Sequence, residues 1–78
     1  MKIQAIKDLL RHDIEALKKA EQQLYDEQPP EIPVAGEDEG EMLTHVLAAI
    51  WIKEQIQSGV PEAQAVRAFT QRVRNSIS

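Results

Sequence analysis

The chain contains no cysteine, and this absence removes two kinds of chemistry at once. Without thiols a protein forms neither a disulfide nor a thiolate metal site, and it cannot exchange disulfides itself. The two histidines are too few for a structural zinc site unless carboxylates help them. A single core in a chain of 78 residues commonly needs a disulfide, a metal or a second subunit. Of these three, association with a second subunit is the one that the composition still allows most readily.

Long apolar runs are also missing. No segment approaches the roughly 20 apolar residues that span a bilayer, and residues 1–6 lack the apolar stretch and cleavage site of a signal peptide. We therefore expect no membrane contact and a cytoplasmic location. The net charge of −4 argues against general nucleic-acid binding. This charge is uneven, because residues 29–41 carry five acidic side chains and no basic one.

Apolar residues at helical spacing predict an all-α fold, a small bundle of three or four helices. The chain forms a single predicted domain over residues 1–78. Asp13 is a good N-cap residue, so we favour a break near His12 and Asp13 over one kinked helix across residues 2–28. The predicted helices cover about residues 2–11, 13–28, 39–58 and 61–76.

Prolines predict an extended connector over residues 29–37, between the second and third helices. Each proline fixes its own φ and restricts the residue before it. Within this connector Ile32 and Val34 alternate with Pro33, which predicts a short extended piece whose apolar face lies over the helices. Farther along, Gly59 suits the C-cap of the third helix.

The third predicted helix is apolar around most of its circumference. Such a helix must be covered on several sides. Because Ala48 and Ile52 point away from the face that contains Leu43 and Ile50, we expect one side to pack inside the monomer and the other to meet a second subunit. The prediction is a homodimer, or a higher symmetric oligomer. The predicted interface residues are Ala48, Trp51 and Ile52.

Carboxylates cluster at the predicted start of the third helix. Negative charge there interacts favourably with the helix dipole. The alternative, a site for a hard cation, lacks the residue order of an EF-hand loop. The acidic cluster and the arginines of the last helix are the predicted partner-facing surfaces, formed by Glu37, Asp38, Glu39, Arg67, Arg72 and Arg74.

Glu41 and His45 lie four residues apart on one face of the third helix. They are the candidates for a transition-metal site completed by a second subunit, although a surface hydrogen bond or ion pair is the more common role of such a pair. We predict no metal site and no cofactor. No nucleophile, base and orienting group can be assembled, so we expect no enzyme.

The preferred function is therefore an oligomeric protein-interaction or scaffolding module without catalytic activity. The alternative is a metal-binding or redox-accessory protein that uses Glu41, His45 and the acidic cluster. These two functions differ in one measurable property, because only the second requires bound metal in the purified protein.

Three stretches carry a resemblance to a known family: GEDEGE at residues 36–41, LTHVLAAI at residues 43–50 and TQRVRNSIS at residues 70–78. They resemble a family of short bacterial proteins of unknown function, over nearly the full length of the chain. The resemblance implies a self-contained protein and an accessory link to redox enzymes, with a thioredoxin- or peroxiredoxin-type protein as partner. It implies no activity, cofactor or catalytic residue.

Overall fold

A computed structural model describes residues 2–77, and the side chains of residues 2–74. It contains four helices in chain order: α1 (Ile3–Leu9), α2 (Ile14–Tyr25), α3 (Glu39–Gln57) and α4 (Glu62–Ile77). The part of the chain that is described contains no strand. The predicted all-α class and the small helical bundle are confirmed.

The chain breaks between α1 and α2, as the N-cap residue predicts. Asp13 has an extended backbone (φ −75°, ψ 166°), and its Oδ1 accepts a hydrogen bond from the Ala16 N–H at 2.9 Å. This bond satisfies one of the backbone donors that a helix start leaves without a partner. Residues 2–28 therefore form two helices, and α2 can turn back to pack beside α3.

α2 ends at Tyr25, earlier than the predicted residue 28. Glu27 has a φ of 59°, in the left-handed region. The Gln28 N–H donates to the Gln23 carbonyl at 2.8 Å, and the Glu27 N–H donates to the Leu24 carbonyl at 3.2 Å. These two bonds form a Schellman motif, which usually has glycine at the left-handed position. No glycine marks this end of the helix, and the prediction therefore placed it at the prolines.

Glu27→Gly is expected to stabilise the protein by about 0.5–1 kcal/mol, because glycine adopts a positive φ without the steric cost of a Cβ atom. Urea unfolding followed by circular dichroism measures the change. Asp26→Gly is the matched control, since Asp26 has an ordinary φ of −86° and glycine there only adds freedom to the unfolded chain. A Glu27→Gly variant as unstable as Asp26→Gly would contradict the prediction.

Both ends of α3 follow local sequence signals. At its start the Asp38 Oδ1 accepts a hydrogen bond from the Glu41 N–H at 2.7 Å. At its end Gly59 has a φ of 105°, and the Val60 N–H donates to the Gln55 carbonyl at 3.0 Å. The left-handed glycine predicted at this helix end is confirmed at Gly59, one residue after the C-cap residue Ser58. These caps fix the length of the helix around which the domain is built.

α3 is the central helix, and α1, α2 and α4 all pack against it. Val46, Ala49 and Ile52 of α3 have no solvent exposure. Three helices surround a helix that is apolar on nearly all sides, so a single chain covers most of its surface. The other helices contribute buried residues to the same core, among them Ile6, Leu9, Leu17, Ala20, Leu24 and Ala65.

The proline-rich connector lies along α2 before it reaches α3. The Glu31 N–H donates to Gln23 Oε1 at 3.0 Å, and Lys19 Nζ lies 2.9 Å from Glu31 Oε1. Ile32 and Val34 are partly buried against the core, which confirms that this segment lays one apolar face over the helices. The connector thus covers part of the core from its position beside α2.

Candidate functional site

His45 is fully buried in α3, and both of its ring nitrogens are hydrogen bonded to backbone. Nε2 accepts from the Lys2 N–H at 3.0 Å, at the start of α1. Nδ1 lies 2.8 Å from the Ala35 carbonyl oxygen in the connector. These bonds assign the neutral tautomer with the proton on Nδ1, which donates to Ala35. The imidazole therefore ties two distant segments to the central helix.

This geometry leaves no ring nitrogen of His45 available to a metal ion. Glu41 Oε1 accepts a hydrogen bond from the Glu37 N–H at 3.0 Å, as part of the capping of α3. Within residues 2–77, no group of three or more His, Asp or Glu side chains is arranged to hold a metal. The Glu41 and His45 side chains are thus hydrogen bonded to backbone groups of the connector and the start of α1, and the metal-binding role considered from sequence stays an untested alternative.

The acidic cluster at the start of α3 also has a structural role. Glu37, Asp38 and Glu39 are exposed, and the Asp38 carboxylate caps the helix. Negative charge at a helix N-terminus stabilises it through the helix dipole. The arrangement agrees with the interpretation that these carboxylates stabilise the helix dipole, which is simpler than a site for a hard cation. The role of these residues in facing a partner stays a prediction.

The predicted interface is wrong for two of its three residues. Ala48 and Ile52 are 3% and 0% exposed within a single chain, so the chain itself already covers nearly all of both side chains. Trp51 is partly exposed and packs against the core and against Phe69. The apolar pattern of α3 predicted that the helix would be covered, and the chain's own helices provide that cover.

One apolar surface of α3 stays open, beside α4. Trp51 and Phe69 approach with their ring centroids 6.0 Å apart at an interplanar angle of 49°, and Arg72 Cζ lies 5.2 Å from the centroid of the Trp51 ring. Together they enclose a hollow of about 240 Å³, which we call the aromatic cleft. The cleft is lined by Thr44, Leu47, Ala48, Trp51, Phe69 and Arg72.

Leu47 is the most accessible apolar side chain of the aromatic cleft, at 40% exposure. Among the residues whose side chains are described, Tyr25 is the other large hydrophobic residue with high exposure, at 56%, and it lies on α2. Thr44, on the same edge of α3, donates its hydroxyl hydrogen to the Gly40 carbonyl at 2.9 Å. The cleft therefore combines aromatic surface with one cation and offers no activated nucleophile.

A larger hollow of about 540 Å³ lies between α1 and the connector. Asp8, Arg11 and His12 line it, and no Phe, Tyr or Trp does. The Asp8 carboxylate also accepts a hydrogen bond from Gln4 Nε2 at 3.0 Å. Because acidic and basic groups share its rim, this hollow favours no particular ligand charge, and it has no aromatic anchor.

The three arginines predicted to face a partner do not form one surface. Arg72 lines the aromatic cleft, whereas Arg67 lines two hollows at other parts of α4, one of them beside Lys7 of α1. Arg74 is exposed near the end of α4. Sequence position alone grouped these residues, and the turn of the helix separates Arg72 from Arg67.

Together these features define a small all-α domain built around one apolar central helix. None of the helices in the described part of the chain is long and apolar enough to cross a membrane. The chain belongs to the family of unknown function DUF6952, whose model matches residues 1–78. This confirms the family resemblance noted in the sequence. No curated protein and no solved structure matches the chain.

Proposed function

We propose that the protein is a non-catalytic interaction module of the cytoplasm, which binds a partner protein through the aromatic cleft. The observation that carries this proposal is the exposure of Leu47 beside Trp51, Phe69 and Arg72. Aromatic residues and arginine are the residue types enriched at binding hot spots. An apolar side chain left open beside them is the surface that a partner would cover.

Two further observations favour binding over catalysis. The imidazole of His45 is buried and hydrogen bonded at both nitrogens, so it is not placed to act as a base. Thr44 lies in the cleft, and its hydroxyl group is bonded to the preceding turn of α3. A catalytic site needs a nucleophile, a base and an orienting group that converge, and the cleft does not assemble them.

The predicted homo-oligomer stays a prediction. The argument for it was the apolar surface at Ala48 and Ile52, which the chain itself covers. A thioredoxin- or peroxiredoxin-type partner, implied by the resemblance, also stays a prediction. Affinity purification from the native cell, followed by identification of the recovered proteins, tests both, because it recovers a tagged chain's untagged copies as well as its partners.

Leu47→Gln is expected to abolish recovery of the partner while changing the free energy of unfolding by less than about 1 kcal/mol. Glutamine is a good helix former, and Leu47 lies at the surface. Circular dichroism and urea unfolding measure the stability, and affinity purification measures the binding.

Tyr25→Gln is the matched control, because it removes an exposed ring of similar accessibility from α2. This variant is expected to recover the same partner as the wild-type chain. A partner retained by Leu47→Gln and lost by Tyr25→Gln would move the binding surface from the aromatic cleft to α2.

A further inference from the structure

Arg72 gives the aromatic cleft a charge preference. Its guanidinium carbon lies 5.2 Å from the centroid of the Trp51 ring. An arginine placed over an aromatic ring keeps N–H groups along its edge, and these match the two oxygens of a carboxylate. Among the described side chains, no carboxylate forms an ion pair with Arg72. The cation at the cleft edge is therefore available to an anionic group from outside.

The surroundings of Arg72 strengthen this preference. α4 carries Arg67, Arg72 and Arg74 against a single acidic residue, Glu62, which lies at the opposite end of the helix. Arg72 therefore has no acidic neighbour on its own helix, although the whole chain has a net charge of −4. Complementary charge steers association and suppresses partners of the wrong sign.

The size of the cleft limits what it can hold. Sites for small molecules commonly enclose roughly 300–1,000 Å³, and the aromatic cleft encloses about 240 Å³ and is open to solvent. That space suits one or two bulky apolar side chains of a polypeptide. The apolar lining from Leu47, Trp51 and Phe69 matches such side chains.

We propose that the aromatic cleft binds a short acidic segment of a partner protein, in which a bulky apolar residue is followed within one helical turn by Asp or Glu. The apolar side chain contacts Leu47, Trp51 and Phe69, and the carboxylate pairs with Arg72. This inference rests on the proposed function and adds the chemical class of the partner.

Selection from a phage-displayed library of random peptides tests the proposal. The full chain serves as bait, and peptides that also bind the Leu47→Gln variant are removed. We expect the enriched peptides to combine a bulky apolar residue with a nearby Asp or Glu. Trp51 is the only tryptophan of the chain, so its fluorescence follows the titration of the best peptide that itself lacks tryptophan.

Charge reversal gives the decisive comparison. Arg72→Glu is expected to lower the affinity for the selected acidic peptide by about fivefold to tenfold. The same variant is expected to bind more tightly a matched peptide in which Lys replaces the acidic residue. Arg67→Glu is the control, because it makes the same change on α4 outside the cleft. It is expected to change the affinity of the acidic peptide by less than about twofold at physiological salt.

Each other outcome overturns the inference in a recognisable way. Enriched peptides with apolar residues and no charge preference would refute the acidic partner and leave the interaction module intact. No enrichment over the Leu47→Gln variant would refute peptide binding at the cleft. Wild-type chain that self-associates in sedimentation equilibrium, and loses this on Leu47→Gln, would make a second copy the occupant.

Discussion

Ile52→Ala is expected to destabilise the protein by about 2–5 kcal/mol. Ile52 has no solvent exposure and lies in the core that α3 shares with its neighbours. Alanine removes buried methylene and methyl groups and leaves a cavity that close-packed helices fill only in part. A domain of this length has a total stability of about 4–12 kcal/mol. The variant therefore loses a large fraction of it, which urea unfolding measures.

The same experiment distinguishes a core residue from an interface residue. If Ile52 is a core residue, its replacement lowers the free energy of unfolding at every protein concentration, since contacts inside one chain do not depend on association. Leu47→Ala is the control on the same helix, and its cost is expected to be below about 1 kcal/mol because Leu47 is at the surface. A loss of stability that vanishes at high protein concentration would indicate that Ile52 lies in a subunit interface.

His45→Phe is expected to cost about 2–3 kcal/mol although it preserves an aromatic ring of similar shape. The substitution removes the acceptor for the Lys2 N–H and the donor for the Ala35 carbonyl. Each lost hydrogen bond costs about 1 kcal/mol, and more where the remaining group is shielded from water. His45→Ala adds a cavity and is expected to cost about 3–5 kcal/mol.

Amide hydrogen exchange at Lys2 reports the hydrogen bond to His45 directly. We expect protection of this amide in the wild-type chain and its loss in His45→Phe. His12→Ala is the control, because His12 is partly exposed in the turn between α1 and α2. Unchanged exchange at Lys2 together with wild-type stability in His45→Phe would show that the buried imidazole is not a structural link.

The elements that sequence predicts correctly depend on local signals. Asp13 and Asp38 accept hydrogen bonds from backbone amides only three residues away, and Gly59 sits at the position where a helix end requires a positive φ. The end of α2 was missed because Glu27 adopts the left-handed conformation without glycine. The sequence predicts a helix end of this kind only when glycine, the usual residue, occupies the left-handed position.

The role of His45 has no local signal. Its partners are backbone groups that lie 43 and 10 residues away along the chain. Every residue except proline has both a backbone donor and a backbone acceptor, so such partners leave no trace in the side-chain pattern. Sequence analysis treated His45 only as one of a pair with Glu41 on one helical face, whereas the fold buries its side chain completely.

The interface prediction was wrong at Ala48 and Ile52 because an apolar pattern shows how much of a helix must be covered, and not whether its own chain or a second subunit covers it. Helical spacing does predict that Thr44, Leu47 and Trp51 share one edge of α3. It predicts in the same way that Phe69 and Arg72 share one edge of α4. What the sequence does not state is that these two edges meet. The aromatic cleft could therefore be assembled only from the packing of α4 against α3.

The position of α3 in the chain has a consequence for biosynthesis. Translation releases the N-terminal part of a protein first, so α1 and α2 leave the ribosome before the most apolar helix does. When α3 emerges, two of its three neighbours already exist and can shield it from chaperones and other nascent chains. The edge that carries Trp51 waits for α4, which is translated after α3.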